Sequence, residues 1–201
     1  MPRLGRQIAH DEHVDVGRIR ACFSTDCTYR YSLHIPFRGD GQRDQLVTVV
    51  LKNPSSANAE RADNTIRRVE TYVYRRFPRA REIAVLNLFA LRATYPSDLA
   101  THLTNLGIRS ATGDWNDGVI ADNLRRSHHI LPAWGSTSGI SKSLYEGRIY
   151  AVVQLLQPYA GRICTVCDLP ASGYPRHGLV WSYGHLTRPL TSLTNLAARS
   201  P

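Results

Sequence analysis

The chain has 201 residues, of which 42% are hydrophobic and 20% charged, a composition typical of a soluble globular protein with a sizeable core. No apolar run approaches the ~20 residues that a membrane-spanning helix needs. The opening segment, MPRLGRQIAHDEH, lacks the apolar stretch of a secretory signal. The sequence therefore argues against a membrane partner, and we expect a cytoplasmic protein.

The charge balance indicates a class of partner. The net charge is +9, and the only lysines are Lys52 and Lys142, so nearly all basic residues are arginines. Arginine suits bidentate contacts with phosphate and stacking on bases. A GC-rich genome would explain arginine in place of lysine, but it would not explain the net excess. We therefore expect a nucleic acid as the partner, and no obligate protein partner is evident.

The first part of the chain is predicted to lead into the domain through a hairpin. Residues 1–27 are mixed and polar, and we interpret them as an N-terminal arm ahead of a single α/β domain at 28–201. Residues 29–37 alternate like a strand, and the apolar run 47–51 is the next strand. The turn residues 38–44 between them predict the hairpin.

The strand at 47–51 runs into the loop Asn53-Pro54-Ser55-Ser56. Pro54 cannot continue a central ladder because it has no N–H. The residue before a proline is held in extended geometry, so the amide of Asn53 projects from the strand end. Ligands of α/β sheets bind at the carboxyl ends of strands, and we interpret this loop as the floor of an active site. An ordinary strand-to-helix turn is the alternative, because Asn, Pro and Ser are common turn residues.

Strands and helices alternate along the rest of the chain. A helix is predicted over 59–77, with a cluster of arginines around it: Arg67, Arg68, Arg75, Arg76, Arg79 and Arg81. Strands are predicted at 83–88, 128–134 and 162–169, helices at 114–126 and 142–157, an irregular loop at 93–113 and a poorly periodic tail at 179–201. This alternation predicts an α/β fold, a three-layer sandwich with a mostly parallel central sheet.

The cysteines and glycines give little support for a metal or cofactor. Cys22, Cys27, Cys164 and Cys167 could together form a zinc or iron–sulfur site. However, residues three apart on a strand point to opposite faces, which is poor chelating geometry for the second pair. The chain also lacks a glycine-rich nucleotide-binding motif. We therefore expect no metal and no cofactor.

Polar or aromatic residues follow four of the predicted strands: Asn53-Pro54-Ser55, Asn87, Trp134-Gly135 and Pro175-Arg176-His177. In a parallel sheet these ends can meet at one edge. Asn87 lies in an apolar run, and its amide offers both a donor and an acceptor, which suits the edge of a base. A core amide that bonds a neighbouring loop explains Asn87 equally well.

Ordered motifs resemble an uncharacterised bacterial family, the domain-of-unknown-function family numbered 1643. They are LKNPSSANAERADNTIRR, VLNLFALRAT, the Asn116-Asp117 pair, PAWG and GYPRHG, and the resemblance covers roughly residues 29–180.

The same landmarks resemble the uracil-DNA glycosylase superfamily. The resemblance implies that Asn53-Pro54 is a water-activating loop and that Leu86-Asn87 reads the base. It also implies that Trp134-Gly135 ends a later strand and that His177 lies near the leaving group. The chain differs from the superfamily at Lys52, which replaces a glycine-rich lead-in, and after His177, where the His-Pro-Ser-Pro pattern is missing.

The resemblance predicts a DNA glycosylase acting on a flipped-out base. Asn53 would position water and His177 would stabilise the departing base. Substrate contacts are expected from Pro54, Ser55, Asn87, Phe89, Arg92 and Trp134, and phosphate contacts from Arg67, Arg68, Arg75 and Arg176. Some uracil-specific members carry a bulky aromatic residue where this chain has Ser55. We therefore expect a larger, modified pyrimidine, for which phage DNA is a natural source, and hence a role in antiviral defence.

Several alternatives remain open. Lys52 could form a Schiff base and add lyase activity, although its neighbours suggest that it points away from the pocket. Asp63 and Asp117 are alternative acid–base residues, and Asp117 is more simply a helix-start acid. The chain could also be a nucleic-acid-binding module without catalysis, or a hydrolase of free nucleosides or nucleotides.

Overall fold

The computed structural model of the chain describes residues 7–39, 41–93, 95–190, 192–193 and 196, with a five-stranded sheet at its centre. The strands lie side by side in the order β1 (Arg20–Phe23), β2 (Arg30–Pro36), β4 (Ala80–Asn87), β3 (Gln45–Leu51) and β5 (His129–Pro132). β3 is parallel to β4 and β5, whereas β2 is antiparallel to β1 and β4. The predicted α/β fold is confirmed, and four of the five strands run in one direction; the sheet is mixed because β2 runs against both of its neighbours.

A two-stranded ribbon extends the sheet beyond β5. It consists of β6 (Cys164–Val166) and β7 (Thr187–Pro189), which pair antiparallel. An isolated parallel bridge between Ile130 and Ile163 joins the ribbon to β5. The parallel part of the sheet therefore continues in the order β4, β3, β5, β6.

Four helices cover the two faces of the sheet: α1 (Asn64–Arg76), α2 (Pro96–Thr112), α3 (Asn116–Arg126) and α4 (Lys142–Leu156). Alternate strand residues face opposite sides. Val49 packs in a buried cluster with residues of α1, and Val50 packs in a second cluster with residues of α2, α3 and α4. None of the helices in the described ranges is long and apolar enough to cross a membrane.

The predicted hairpin between residues 29–37 and 47–51 is wrong. β2 and β3 do not pair, because β4 lies between them and bonds to both. The residue types at 38–44 are compatible with a tight turn, but the strand that pairs with both β2 and β3 is β4, which comes later in the chain. Local turn chemistry does not reveal such an insertion.

The segment interpreted as an N-terminal arm is integrated into the fold over its described part. β1 lies within it and forms one edge of the sheet. The backbones of Ile8 and Ala62 exchange two hydrogen bonds of 2.8 and 2.9 Å. The Nδ1 of His10 lies 2.5 Å from Oε1 of Glu70 on α1, with both side chains fully buried. These partners are distant in sequence, so the polar composition of the segment gave no sign of them.

The irregular loop predicted at residues 93–113 is instead helix α2 for most of its length. Leu99, Leu103 and Ala111 are buried in the cluster that α2 shares with α3 and α4 on one face of the sheet. Gly107 has φ +80° and interrupts the helix, so the apolar spacing changes phase within the segment. By contrast, the helix predicted at 142–157 is confirmed as α4. The helix predicted at 59–77 begins later, at Asn64, because the side chain of Asp63 caps it by accepting the N–H of Ile66.

Replacing Gly107 and Gly147 by alanine is expected to change stability in opposite directions. Gly107→Ala places a side chain at a positive φ and should lower the free energy of unfolding by about 1 kcal/mol. Gly147 lies inside α4 with open space around the position of a Cβ, so Gly147→Ala should raise that free energy by about 0.5–1 kcal/mol. Denaturant unfolding of both variants measures the two changes, and a stabilised Gly107→Ala protein would contradict the helix break.

Candidate functional site

A cavity of about 430 Å³ lies at the carboxyl ends of β3 and β5, beside the N-terminus of α1. β2 runs in the opposite direction, so its first residue, Arg30, reaches the same edge of the sheet. The residues that line the cavity are Arg30, Leu51, Lys52, Asn53, Ser55, Ser56, Asp63, Asn64, Thr65, Ile66, Ala93, Trp134, Gly135, Ser136, Ser138, His177 and Leu179. Of the residues predicted to act on a substrate, the cavity brings together Asn53, Ser55, Trp134 and His177.

The amide of Asn53 is oriented by two backbone carbonyls. Its Nδ2 donates to the carbonyl of Pro54 at 3.0 Å and to that of Ala93 at 2.8 Å. Because both partners are acceptors, they fix which end of the amide carries the hydrogens. The Oδ1 has no hydrogen-bond partner within the described part of the chain, so it is the end that can accept a bond from water or a ligand. Pro54 itself is buried behind this lining and also accepts from the N–H of Ala93 at 3.0 Å.

His177 enters the cavity against Gly135. A Cβ at Gly135 would meet the Cβ of His177 at 2.9 Å, and Gly135 has φ +69°, so both space and backbone geometry favour glycine here. The Nδ1 of His177 accepts the N–H of Leu179 at 3.3 Å. A neutral imidazole that accepts at Nδ1 carries its hydrogen on Nε2, which is then a donor.

The electrostatic surroundings of His177 favour that neutral form. The pKa of His177 is lowered to about 4, mainly by burial and in part by the nearby ammonium of Lys52, while the carboxylate of Asp63 opposes the shift. His177 is therefore an uncharged hydrogen-bond donor at neutral pH and a poor proton acceptor.

Lys52 lines the same cavity, contrary to the expectation that it points away. Its Nζ donates to the carbonyl of Ser136 and, at 2.7 Å, to Oγ of Ser138. The Nζ also lies 5.3 Å from the centre of the Tyr145 ring. Burial lowers the pKa of Lys52 to about 8, because the ammonium loses solvation without gaining a carboxylate partner.

Asp63 and Ser55 form a pair at the start of α1. Oδ1 of Asp63 accepts the N–H of Ile66 at 2.8 Å and so caps the helix, while Oδ2 accepts the hydroxyl of Ser55. Both residues line the cavity. Ser55 thus puts a small side chain in the cavity lining, and its hydroxyl donates a hydrogen bond to Asp63.

Arg30 is a cavity residue that the sequence analysis missed. It is 1% exposed, one of its terminal nitrogens donates to the carbonyl of Ala57 at 2.7 Å, and its Nε has no partner among the described residues. Burial lowers the pKa of Arg30 to about 10, although the carboxylate of Asp63 works against this. Arg30 falls on the same alternate positions as Ser32 and His34, so the sequence pattern gave no sign that it is buried.

Asn87 lies behind the cavity lining. It is fully buried, and neither its Nδ2 nor its Oδ1 has a partner among the described residues. Strand alternation places it on the α1 face with Val85, and its neighbour across β3, Leu51, does line the cavity. An unsatisfied buried amide costs about 1–3 kcal/mol, and this one lies next in the sheet to Leu51, a residue of the cavity lining.

Phe89 and Trp134, two residues expected to contact the substrate, are packed in the core. Phe89 and Trp134 are both fully buried and belong to the cluster on the α2–α4 side of the sheet. Trp134 lines the cavity, and its Nε1 is buried without a partner in the described part of the chain. Neither ring is free to stack on a ligand base in this conformation, and Phe89 is not part of the cavity lining.

The arginines predicted to bind phosphate are divided among different surroundings. Arg68 and Arg75 each place the guanidinium 4.8 Å from the centre of the Tyr183 ring. Arg176 is exposed beside His177. Arg67 instead lies 3.5 Å from the carboxylate of Asp11, outside the cavity lining. Arg92, expected as a substrate contact, also lies outside the lining, where it stacks over Phe23 and donates to the carbonyl of Cys27. Of these arginines, Arg68 and Arg75 form the clearest basic surface, which we call the α1 arginine face.

Other candidate groups lie apart from the cavity. Asp117 pairs with the buried guanidinium of Arg148 in a separate hollow, which removes it as an acid–base candidate for this site. All four cysteines are free thiols. Among the described residues, no group of three or more His, Cys, Asp or Glu side chains is placed to hold a metal ion.

His177 is expected to titrate well below an ordinary histidine. Its ¹⁵N chemical shifts should report the neutral tautomer with the hydrogen on Nε2 down to about pH 5, because burial lowers its pKa to about 4. In a Lys52→Gln protein the pKa of His177 should rise, since the nearby positive charge is gone. Observation of the imidazolium form near pH 6.5 would contradict the geometry.

A family model described as "Protein of unknown function (DUF1643)" matches residues 30–179. No curated protein and no solved structure matches the chain. The matched range contains β2 to β6 and every residue that lines the cavity. The chain therefore belongs to the DUF1643 family.

Proposed function

We propose that this chain is a DNA glycosylase that hydrolyses the N-glycosidic bond of a flipped-out base and leaves an abasic site. The observation that carries the proposal is the pairing of two groups in one cavity. Asn53 offers an oriented amide oxygen that has no partner among the described residues, and His177 offers an uncharged Nε2–H. The first can hold a water and the second can hold a departing base.

The fold is consistent with a uracil-DNA glycosylase-like architecture. Helices cover both faces of the sheet, and the parallel strands follow the order β4, β3, β5, β6. The segments that resemble the superfamily motifs come from the ends of β3, β4 and β5 and from the His177 loop. Three of the four, all except the Asn87 segment, place residues in the cavity lining.

The attacking water would be positioned by Asn53. An amide oxygen can accept a hydrogen bond from water but is too weak a base to remove its proton early in the reaction. The reaction is therefore dissociative: the C1′–N bond breaks first, and the sugar develops oxocarbenium character. Water then attacks C1′ from the side on which Asn53 holds it.

The departing base would be stabilised by His177. As the C1′–N bond breaks, negative charge collects on the base, and a preorganised donor in a cavity with little water stabilises that charge. The low pKa of His177 keeps it neutral, so its part is donation of a hydrogen bond from Nε2 and not proton transfer. Lys52 adds a positive charge close by.

The size and lining of the cavity support a modified pyrimidine as the target. Its volume of about 430 Å³ lies in the range for small-ligand pockets, and the position after Pro54 carries the small Ser55. Arg30 and Lys52 are two buried cations against the single carboxylate of Asp63 in the lining, so an acidic or hydroxylated substituent would be accommodated. Phage DNA is a source of such bases, and we propose a role in antiviral defence.

DNA would lie across the α1 arginine face and the rim of the cavity. Arg68 and Arg75 lack a carboxylate partner within the described ranges, which leaves their charges for phosphates. Leu179 lines the cavity, is 46% exposed and follows His177 closely. Apolar side chains at such a rim can fill the space that a flipped nucleotide leaves in the stack.

Asn53→Ala is expected to lower base excision roughly 100-fold or more, because the water loses its acceptor. The protein would be incubated with uracil-containing, unmodified and modified phage DNA, and abasic sites would be counted with an aldehyde-reactive probe. Asn105→Ala, at an exposed position on α2, is the matched control and should leave the rate unchanged.

Three outcomes of this assay would overturn the proposal. Absence of abasic sites from every DNA, with salt-sensitive binding retained, would indicate a binding module without catalysis. Turnover of free nucleosides with little affinity for DNA would indicate a small-molecule hydrolase. Full activity of Asn53→Ala would remove Asn53 from the mechanism.

Removal of charge from the α1 arginine face should weaken DNA binding. The double variant Arg68→Ala with Arg75→Ala is expected to reduce affinity for DNA at low salt. The slope of log affinity against log salt concentration should fall by the equivalent of about two phosphate contacts. The control is the double variant Arg81→Ala with Arg126→Ala, which loses the same charge. Both residues are exposed in a hollow near the amino ends of β3 and β4. Fluorescence anisotropy with a labelled duplex measures both, and a larger loss at Arg81 and Arg126 would relocate the DNA surface.

A further inference from the structure

Lys52 is the one lysine in the cavity, and the chain has only one other. Lys142 has a side chain that is 74% exposed at the start of α4, where it lies 3.8 Å from Glu146. Lys52 is 7% exposed and directly precedes Asn53, the residue proposed to hold the attacking water. The only buried primary amine of the described chain therefore lies beside the proposed reacting centre.

The surroundings of Lys52 differ from those of a structural lysine. Its Nζ bonds a backbone carbonyl and a serine hydroxyl, and no carboxylate lies within ion-pair distance in the described ranges. A buried ammonium without a counter-charge is costly. Both contacts are neutral and come from the short loop after Gly135, so the amine can exchange them for a ligand.

We propose that Lys52 is a nucleophile that gives this protein lyase activity on abasic DNA, a second step that rests on the proposed glycosylase function. The substrate is the ring-opened form of the abasic sugar, which carries an aldehyde at C1′. The product is a DNA strand broken on the 3′ side of the abasic site. The same cavity would thus remove the base and cut the strand.

The chemistry of this step balances without a cofactor. The free amine of Lys52 adds to the C1′ aldehyde, and water leaves with the uptake of one proton from solvent, forming a protonated imine; the final hydrolysis returns that proton. A proton then leaves C2′ for a base, and the electron pair expels the 3′ phosphate as the C3′–O bond breaks. Water finally hydrolyses the unsaturated imine and regenerates the amine.

Two observations support these roles. Burial lowers the pKa of Lys52 to about 8, so about a tenth of it is the free amine at pH 7, far more than for a lysine of ordinary pKa. Asp63 is the carboxylate of the cavity lining, and both Asp63 and Lys52 act on the pKa of His177, which places the three groups around one space. Asp63 is therefore the base available for the C2′ proton.

The experiment supplies the abasic site ready-made, so that it does not depend on base excision by this protein. A duplex with one preformed abasic site would be incubated with the protein and sodium cyanoborohydride, which reduces the imine to a stable amine. We expect a covalent protein–DNA adduct, and digestion with mass spectrometry should map it to Lys52. Without reductant, the strand should be cut on the 3′ side of the site.

Variants at the two lysines separate the possible origins of an adduct. Lys142→Arg should trap and cut as well as the unchanged protein, whereas Lys52→Arg should lose both by roughly 100-fold, because a guanidinium does not form the imine. Circular dichroism checks that Lys52→Arg is folded, and the mapping on the unchanged protein stands without any variant. An adduct on the N-terminal amine, or no adduct at all, overturns the proposal.

The outcome distinguishes this inference from the proposed function. If modified DNA acquires abasic sites but no adduct forms, the lyase step is wrong and the glycosylase stands. If the preformed site is trapped at Lys52 but no DNA loses a base, the glycosylase is wrong and Lys52 acts on abasic sites made elsewhere.

Discussion

The parallel pairing of β3 with β4 and β5 is the constraint on which the site depends. It fixes the register that puts Leu51 beside Asn87 and Val50 beside Pro132, so these strands end at one edge. The cap that Asp63 provides for α1 places the start of that helix at the same edge. The cavity exists because a chain that leaves β3 must cross this edge before it can enter α1.

The charges in the cavity limit what can bind there. Arg30 and Lys52 are buried, and the pKa of each is lowered, whereas the lining contributes one carboxylate, from Asp63. Such an imbalance costs stability in the free protein, and an incoming anion relieves it. In the proposed reaction, a nucleotide of DNA would bring a phosphate and a departing base would bring a developing negative charge. Both would relieve the imbalance, which a neutral or cationic ligand would not.

Local sequence predicted the parts of the site that follow from strand ends. Asn53, Ser55, Trp134 and His177 come directly after apolar runs or a proline turn, and each lines the cavity. Arg30 was missed because its place depends on β2 running against β4. The hairpin and the loop at 93–113 failed for related reasons: a strand inserted from later in the chain, and a helix interrupted at Gly107. Sequence patterns report local geometry, whereas strand order and direction are decided by the whole sheet.

The contact between Gly135 and His177 shows how closely local backbone geometry and the arrangement of the whole sheet depend on each other. The loop after β5 can approach the His177 loop only because Gly135 lacks a Cβ, and the N–H of Gly135 bonds the carbonyl of Pro175 at 3.0 Å. That approach buries the imidazole, lowers its pKa and leaves Nε2 as the donor. The loop from Gly135 onwards also supplies Ser136 and Ser138, which hold the amine of Lys52. Gly135 thus lies against His177 and begins the segment that restrains Lys52, so the two proposed steps share a single structural support.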